Sequence, residues 1–213
     1  NRIKLVAYTN KRVSAFNKCI RSHIFKQEDL PEYVKGDILF GYDGSECRGQ
    51  TIENSGDYQV QAAYKTTEEI AHIPMEGWWL DLYDFDQEQY KTVFVLSIDN
   101  DKSKFEQLGE EIEYIRQFAI QARGYKRKQA WTDYYKIMNT FLTPIDILWD
   151  NRVIRCKSID YGYAITSHKS QSSSFDDVAV DINNILLCKD MTEVRQMEYV
   201  ALSRTRRNVY LLN

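Results

Sequence analysis

Basic residues are not in excess in this chain: 28 Lys and Arg stand against 31 Asp and Glu, a net charge of -3 with a pI near 5.7. No global positive field marks it for polyanions, so any such binding must come from local patches. Cysteine and histidine are also scarce. Cys19, Cys47, Cys156 and Cys188 lie far apart with no CxxC pair, and there are three histidines, which supports neither a zinc site nor a disulfide framework. A reducing, cytoplasmic setting is expected. No apolar run approaches the roughly 20 residues that cross a bilayer, and the opening NRIKLVAYTN lacks a signal-peptide pattern, so no membrane partner is expected. There is no GxxxxGK[ST] phosphate loop and no strand ending in an Asp-Glu pair for Mg²⁺, which excludes ATP hydrolysis by these 213 residues alone. The chain starts at Asn1 rather than at a methionine, in a strand-like run, and a piece of a longer polypeptide is expected.

What is present is enough for a real core. With 43% hydrophobic residues the chain sits between one large domain and two small ones. Ile3 to Tyr8 reads as a strand, Thr9 and Asn10 as helix-capping residues, and Val13, Phe16, Ile20 and Ile24 as the apolar face of a helix packed back on a sheet. Pro31 and a series of glycines then end the helical period. Between Asp37 and Asp99 the runs DILFGY, YQVQAAY, EIAHI, WWLDLYDF and YKTVFVLSI read as short strands separated by turns such as Asn54-Ser55-Gly56-Asp57 and Glu76-Gly77, which suggests a small barrel. Trp78 and Trp79 are adjacent and face opposite sides of their strand, so one of them is a candidate for base stacking or domain docking.

From Asp101 to Leu142 the period is helical again, with Phe105, Leu108, Ile112, Ile115 and Ala119 on one helix and Trp131, Tyr134, Tyr135 and Met138 on the next. Their connection, ARGYKRKQA, sets Arg123, Lys126, Arg127 and Lys128 around Tyr125, either a grip on a phosphate backbone or a solvated loop. Beyond Pro144, strands are expected at 153–156, 161–165, 178–182 and 208–212, with helices starting near Thr166 and Thr192. The fold class is therefore α/β: a parallel-sheet domain in two segments, 1–30 and 146–213, interrupted at 31–145 by a small barrel and a helical hairpin.

Two segments carry chemistry. In AITSHKSQSSSFDDVAV, Thr166 and Ser167 are read as opening a helix after a strand. Free backbone N–H groups and the hydroxyls of Ser170, Ser172, Ser173 and Ser174 would then face an anion, or simply cap the helix. In YVALSRTRRNVYLL, Arg204, Arg206 and Arg207 close a helix, where the dipole also favours cations by about 0.3 to 1 kcal/mol each. His168 has no carboxylate at a spacing that would make it a general base.

TSHKSQSSSFDDVAV and YVALSRTRR resemble the fifth and sixth motifs of superfamily 1 helicases, in the C-terminal domain shared by the UvrD, RecD and Dda types. VAYTNKRVSAFN is similar to the fourth motif of the RecD and Dda types, GDILF and ENSGDYQV to the start of their inserted SH3-like barrel, and AWTDYYKIMNTF to the helical extension of Dda. The resemblance implies a second RecA-like motor domain of a 5′ to 3′ DNA helicase acting in replication or repair. ATP and Mg²⁺ would be held mainly by a first RecA-like domain N-terminal to Asn1, and this chain alone would bind neither.

By the same resemblance Arg204 is the catalytic arginine finger, and Gln171, Ser172, Ser174 and Arg204 face ATP. Thr9, Asn10, Thr166, His168 and Lys169 face single-stranded DNA, His168 and Lys169 either there or against the other motor domain. In related NTPases such a finger is worth roughly 10³ to 10⁵ in rate. Ser172 replaces the family's glycine, in a turn where a left-handed backbone costs a non-glycine residue about 1 to 2 kcal/mol. Ser174 stands where UvrD-like members carry glutamate and the Dda type carries serine. The alternative reading is a non-catalytic module, derived from a helicase, that binds single-stranded DNA or a replication protein.

Overall fold

The computed structural model describes residues 3–171 and 173–212. In chain order its elements are β1 (Ile3–Ala7), α1 (Asn10–Phe25), β2 (Ile38–Gly41), β3 (Ser45–Cys47), β4 (Gln50–Ile52), β5 (Asp57–Ile70), β6 (Ile73–Asp84) and β7 (Gln89–Leu96). They continue with α2 (Lys102–Gln121), α3 (Gly124–Met138), β8 (Ile147–Trp149), β9 (Arg152–Arg155), β10 (Ile159–Tyr161), β11 (Ala164–Thr166), β12 (Phe175–Asp181), α4 (Ile182–Ile185), α5 (Met191–Ser203) and β13 (Thr205–Leu212). They fall into two units, one of residues 1–31, 37–40 and 161–213, the other of residues 32–36 and 41–160.

The first unit is built on a four-stranded sheet in the order β11-β1-β12-β13, and every pairing in it is parallel. A parallel sheet needs cover on both faces, so its inner strands read as unbroken apolar runs rather than as alternations. β1 follows this rule from Leu5 to Ala7, as does β12 from Val178 to Val180, all buried. One face is covered by α1, whose Val13, Phe16 and Ile20 pack on Leu5, Ala7, Ala164 and Ala179. The helix starts where the sequence predicts: Thr9 is extended and its hydroxyl accepts from the N–H of Arg12. It ends where Lys26 turns left-handed and donates its N–H to Ser22.

Polar groups also tie this unit together. Asn17, buried on α1, accepts from Ala164 N at 2.7 Å and donates to Ala164 O at 3.1 Å, bonding the helix to the edge of β11. Arg21 makes a two-pronged bond to Asp37 at 2.7 and 2.8 Å, and the hydroxyl of Tyr163 donates to the same carboxylate at 3.1 Å. Satisfying each partner is what makes a buried ion pair tolerable.

In the second unit β5, β6 and β7 run as an antiparallel meander. Three hairpins here turn on two residues with positive φ: Arg48-Gly49 for β3–β4, Ala71-His72 for β5–β6 and Asp150-Asn151 for β8–β9. This is the turn whose twist matches that of the strands it joins. Glu32 accepts from Trp78 Nε1, Ser97 Oγ and the N–H of Ile98, and burial raises its carboxyl above the usual range. Trp79 donates to Glu68 under the guanidinium of Arg48, so both tryptophans are engaged within the unit. Arg155 is buried with carbonyl acceptors at Met138 and Phe141, and desolvation lowers its pKa to about 10. No helix among the described residues is long and apolar enough to cross a membrane.

Several expectations are corrected. EIAHI is not a strand of its own, because Ala71 and His72 form the tip of the β5–β6 hairpin. Glu76-Gly77 is not a turn but lies inside β6, where a side chain on Gly77 would strike the ring of Phe94. Among the described residues no helix follows Thr166, and residues 167–171 form turns. The basic run lies mainly on α3, since only Ala122 and Arg123 separate the two helices. The second segment of the first unit begins at Tyr161, not near 146, because the β8–β9 hairpin belongs with α2.

Two candidate edges of the parallel sheet

Since all four strands point the same way, the first unit has one edge of strand C-terminal ends and one of strand N-terminal ends. In open α/β sheets the C-terminal edge is the usual ligand crevice. Here β1 ends at Ala7 and is followed by Tyr8 and Thr9, and its neighbour β11 ends at Thr166, paired with Ala7. The chain leaves both strands at the same edge. Thr9, Asn10, Thr166, His168 and Lys169 therefore gather there.

The turn after β11 is tightly bonded. Ser167 donates its N–H to Ala7 O at 2.9 Å and its hydroxyl to Met197 O at 3.2 Å; Ser170 Oγ donates to Ser167 O at 2.7 Å. Both serines are buried, and their hydroxyls are spent on the turn rather than offered to a ligand. Thr166 Oγ1 accepts from Lys169 N at 3.3 Å. His168 is exposed, 3.4 Å from Glu193 on α5, with its ring 6.4 Å from that of Tyr8. The Tyr8 phenol is held above its usual range, first by a hydrogen bond with Cys188 and then by the charge of Glu193.

Asn184 and Asp181 were not singled out in the sequence. Asn184 Oδ1 accepts from the N–H groups of Tyr8 and Thr9, both at 2.9 Å. Asp181, the N-cap of α4, accepts from Asn184 N at 3.0 Å and from Arg12 Nε at 2.6 Å. The signal was there in Asp181-Ile-Asn-Asn184, a capping pattern at the end of an apolar run.

The other edge holds Ser174 and Arg204. The N–H of Phe175, first residue of β12, donates to Arg204 O at 2.8 Å, so the residue that ends α5 is fastened beside Ser174. Arg204 Nε and Ser173 Oγ are buried there and, among the described residues, have no hydrogen-bond partner. Leaving such a group unpaired costs about 1 to 3 kcal/mol, more when it is charged. The three arginines differ: Arg207 pairs with Asp176 at 2.8 Å and Arg206 is exposed. Gln171 is exposed at the end of the turn that leaves the C-terminal edge, and Ser172 lies outside the described residues. Among the described residues no group of three or more His, Cys, Asp or Glu could hold a metal ion.

At about 3.3 Å per residue, the seven residues of β12 separate the two edges by roughly 20 Å. The segment that follows β11 thus serves both, starting among the nucleic-acid candidates and ending beside Arg204.

Residues 161–212 match the UvrD-like helicase C-terminal domain family. No curated protein sequence matches the chain. Similar solved structures include the Pif1 helicase of Candida albicans, 14% identical, covering 100% of this chain and 45% of that one with a TM-score of 0.48. Another is a Pif1 helicase from Bacteroides in complex with ADP-AlF3 and ssDNA, 12% identical, covering 99% of this chain and 40% of that one with a TM-score of 0.46. The chain spans less than half the length of either. The matched segment, Tyr161 to Leu212, contributes β11, β12, α4, α5 and β13 to the first unit.

Proposed function

We propose that the first unit is the second RecA-like motor domain of an ATP-dependent 5′ to 3′ DNA helicase of the RecD and Dda type. The observation that carries this reading is the division of the family-matched segment between two edges of one parallel sheet. A motor must couple two ligands without letting them share a site, and a rigid strand between them transmits a shift at one end to the other.

At the N-terminal edge Arg204 is the finger that meets the γ-phosphate of ATP, with Ser172 and Ser174 beside the nucleotide and Gln171 leading into that loop. The unpaired Arg204 Nε and Ser173 Oγ fit an anionic ligand. In phosphoryl transfer a cation placed there neutralises charge that grows on the equatorial oxygens. The phosphate loop and the Mg²⁺ ligands come from another motor domain, expected in the polypeptide preceding Asn1. At the C-terminal edge Thr9, Asn10, Thr166, His168 and Lys169 track single-stranded DNA, and the second unit is an inserted SH3-like barrel with a helical hairpin.

The test is ATP turnover in the polypeptide that joins this chain to its phosphate-loop domain. Arg204→Ala is expected to remove DNA-stimulated turnover by roughly a thousandfold or more. Near-normal turnover in that variant would sink the finger assignment.

A further inference from the structure

We infer that α3 carries a second binding site for single-stranded nucleic acid, on the second unit. Between Glu113 and Asp133 the chain holds five cations and no carboxylate, in a protein whose net charge is -3. Arg116 is paired with Glu113 at 3.0 Å. Arg123, Lys126, Arg127 and Lys128 are all exposed and, among the described residues, make no ion pair.

The fold does not account for this charge. Cations at the start of a helix oppose its dipole, and α3 has neither an acidic residue in its first turn nor a side-chain bond at its cap. Four unpaired cations placed there weaken the helix they begin. They are explained by a polyanion.

The aromatic residues on the same helix say which kind. Tyr125, in the middle of the basic run, is 81% exposed. Lys128, Trp131 and Tyr135 recur at helical spacing and share one face. The rings of Trp131 and Tyr135 are stacked, 5.9 Å apart at 29°, and Tyr135 is 55% exposed. Cations interleaved with exposed ring faces match a strand whose phosphates are neutralised while its unstacked bases lie on the rings. A duplex keeps its bases stacked inside and offers those rings nothing. The choice of nucleic acid over another polyanion rests on the helicase reading of the first unit.

The experiment is fluorescence anisotropy of a labelled oligothymidine with the full chain, titrated at several salt concentrations. Three variants are compared: Arg123→Gln, Lys126→Gln, Arg127→Gln and Lys128→Gln combined; Tyr125→Ala; and Lys169→Gln on the sheet edge of the first unit. The combined variant should flatten the plot of log affinity against log salt by about 0.7 for each phosphate it no longer neutralises, so by roughly 2 to 3 in all. Tyr125→Ala should weaken single-strand binding roughly tenfold and leave the slope unchanged, as removal of a stacking ring does. The combined variant should melt no lower than the parent, because its substitutions relieve the helix dipole.

An unchanged slope in the combined variant with weakened binding in Lys169→Gln overturns this site and leaves the first-unit reading standing. A chain that binds no oligothymidine at low salt overturns both. Binding to duplex as tight as to single strand, capture of anionic lipid vesicles in place of the oligonucleotide, or a lowered melting temperature of the combined variant each also overturns the proposal.

Discussion

One side-chain oxygen of Asn184 accepts the backbone N–H groups of both Tyr8 and Thr9, at 2.9 Å each. The end of β1 and the start of α1 are thereby fixed to α4, and with them the C-terminal edge. Asn184→Ala leaves two half-buried donors unpaired and is expected to destabilise the fold by about 2 kcal/mol. Asn184→Asp keeps the acceptor and should retain most of that. Urea unfolding reads both, as a fall in midpoint with little change in slope.

Arg21 and Asp37 form a pair in which the carboxylate is fully buried and also accepts from Tyr163. Breaking such a pair from one side leaves an unpaired buried charge, so Arg21→Met should cost about 3 to 5 kcal/mol. Replacing both partners, Arg21→Met with Asp37→Leu, should cost clearly less than the sum of the two single changes. A double-mutant cycle measured by denaturant unfolding checks the non-additivity.

Asp84 and Lys91 are paired at 2.8 Å in the interior of the second unit, and Asp84 also accepts from the N–H groups of Asp86 and Gln87. Burial alone would raise the Asp84 carboxyl, but the bond from Lys91 and the two backbone donors outweigh it and hold it below the usual range. A depressed carboxyl stabilises the fold above its unfolded pKa, near 4, and that contribution is lost as pH falls through the lower folded value. The stability gap between the parent and Asp84→Asn is therefore expected to be full at neutral pH and to shrink below about pH 4. Thermal melts of both proteins across that range measure it.

Gly77 lies in β6 with its α-carbon against Phe94. A β-carbon there would sit 2.3 Å from the ring and 2.7 Å from the carbonyl of Val95. Gly77→Ala should cost at least about 1 to 3 kcal/mol, because the neighbours are a buried ring and backbone. A midpoint within error of the parent would contradict the packing described.

Gly77 also shows where sequence reading ran out. Glu76-Gly77 has the composition of a turn, yet a glycine inside a strand as often marks a close approach by a neighbour, and the neighbour is known only once β6 and β7 are paired. Ala71-His72 is the converse: it is not one of the Asn-Gly, Asp-Gly or Gly-Gly pairs that announce a two-residue hairpin turn, so the true turn reads as part of a strand. β1, α1 and α5 were legible because their apolar period and caps are local. The hairpin β8–β9 was assigned to the wrong side of a boundary because its packing on α2 depends on residues distant in the chain.

The sequence supplied candidate residues for the site, and the fold supplied their layout. The resemblance to helicase motifs proposed Thr9, Thr166, His168 and Arg204, and the parallel register is what sends the first three to one edge and the last to the other. Asn184 was missed since its role is to accept backbone N–H groups across about 175 residues of chain, and such an acceptor has no periodic signature of its own.

Separation of the two edges is tested most directly by DNA-stimulated ATP turnover as a function of DNA concentration. In the polypeptide that includes the phosphate-loop domain, Arg204→Ala should lower the maximal rate and leave the half-saturating DNA concentration unchanged. Lys169→Ala should raise that concentration and leave the maximal rate near the parent's. Near-normal turnover in Arg204→Ala, or both variants moving the same parameter, would contradict it.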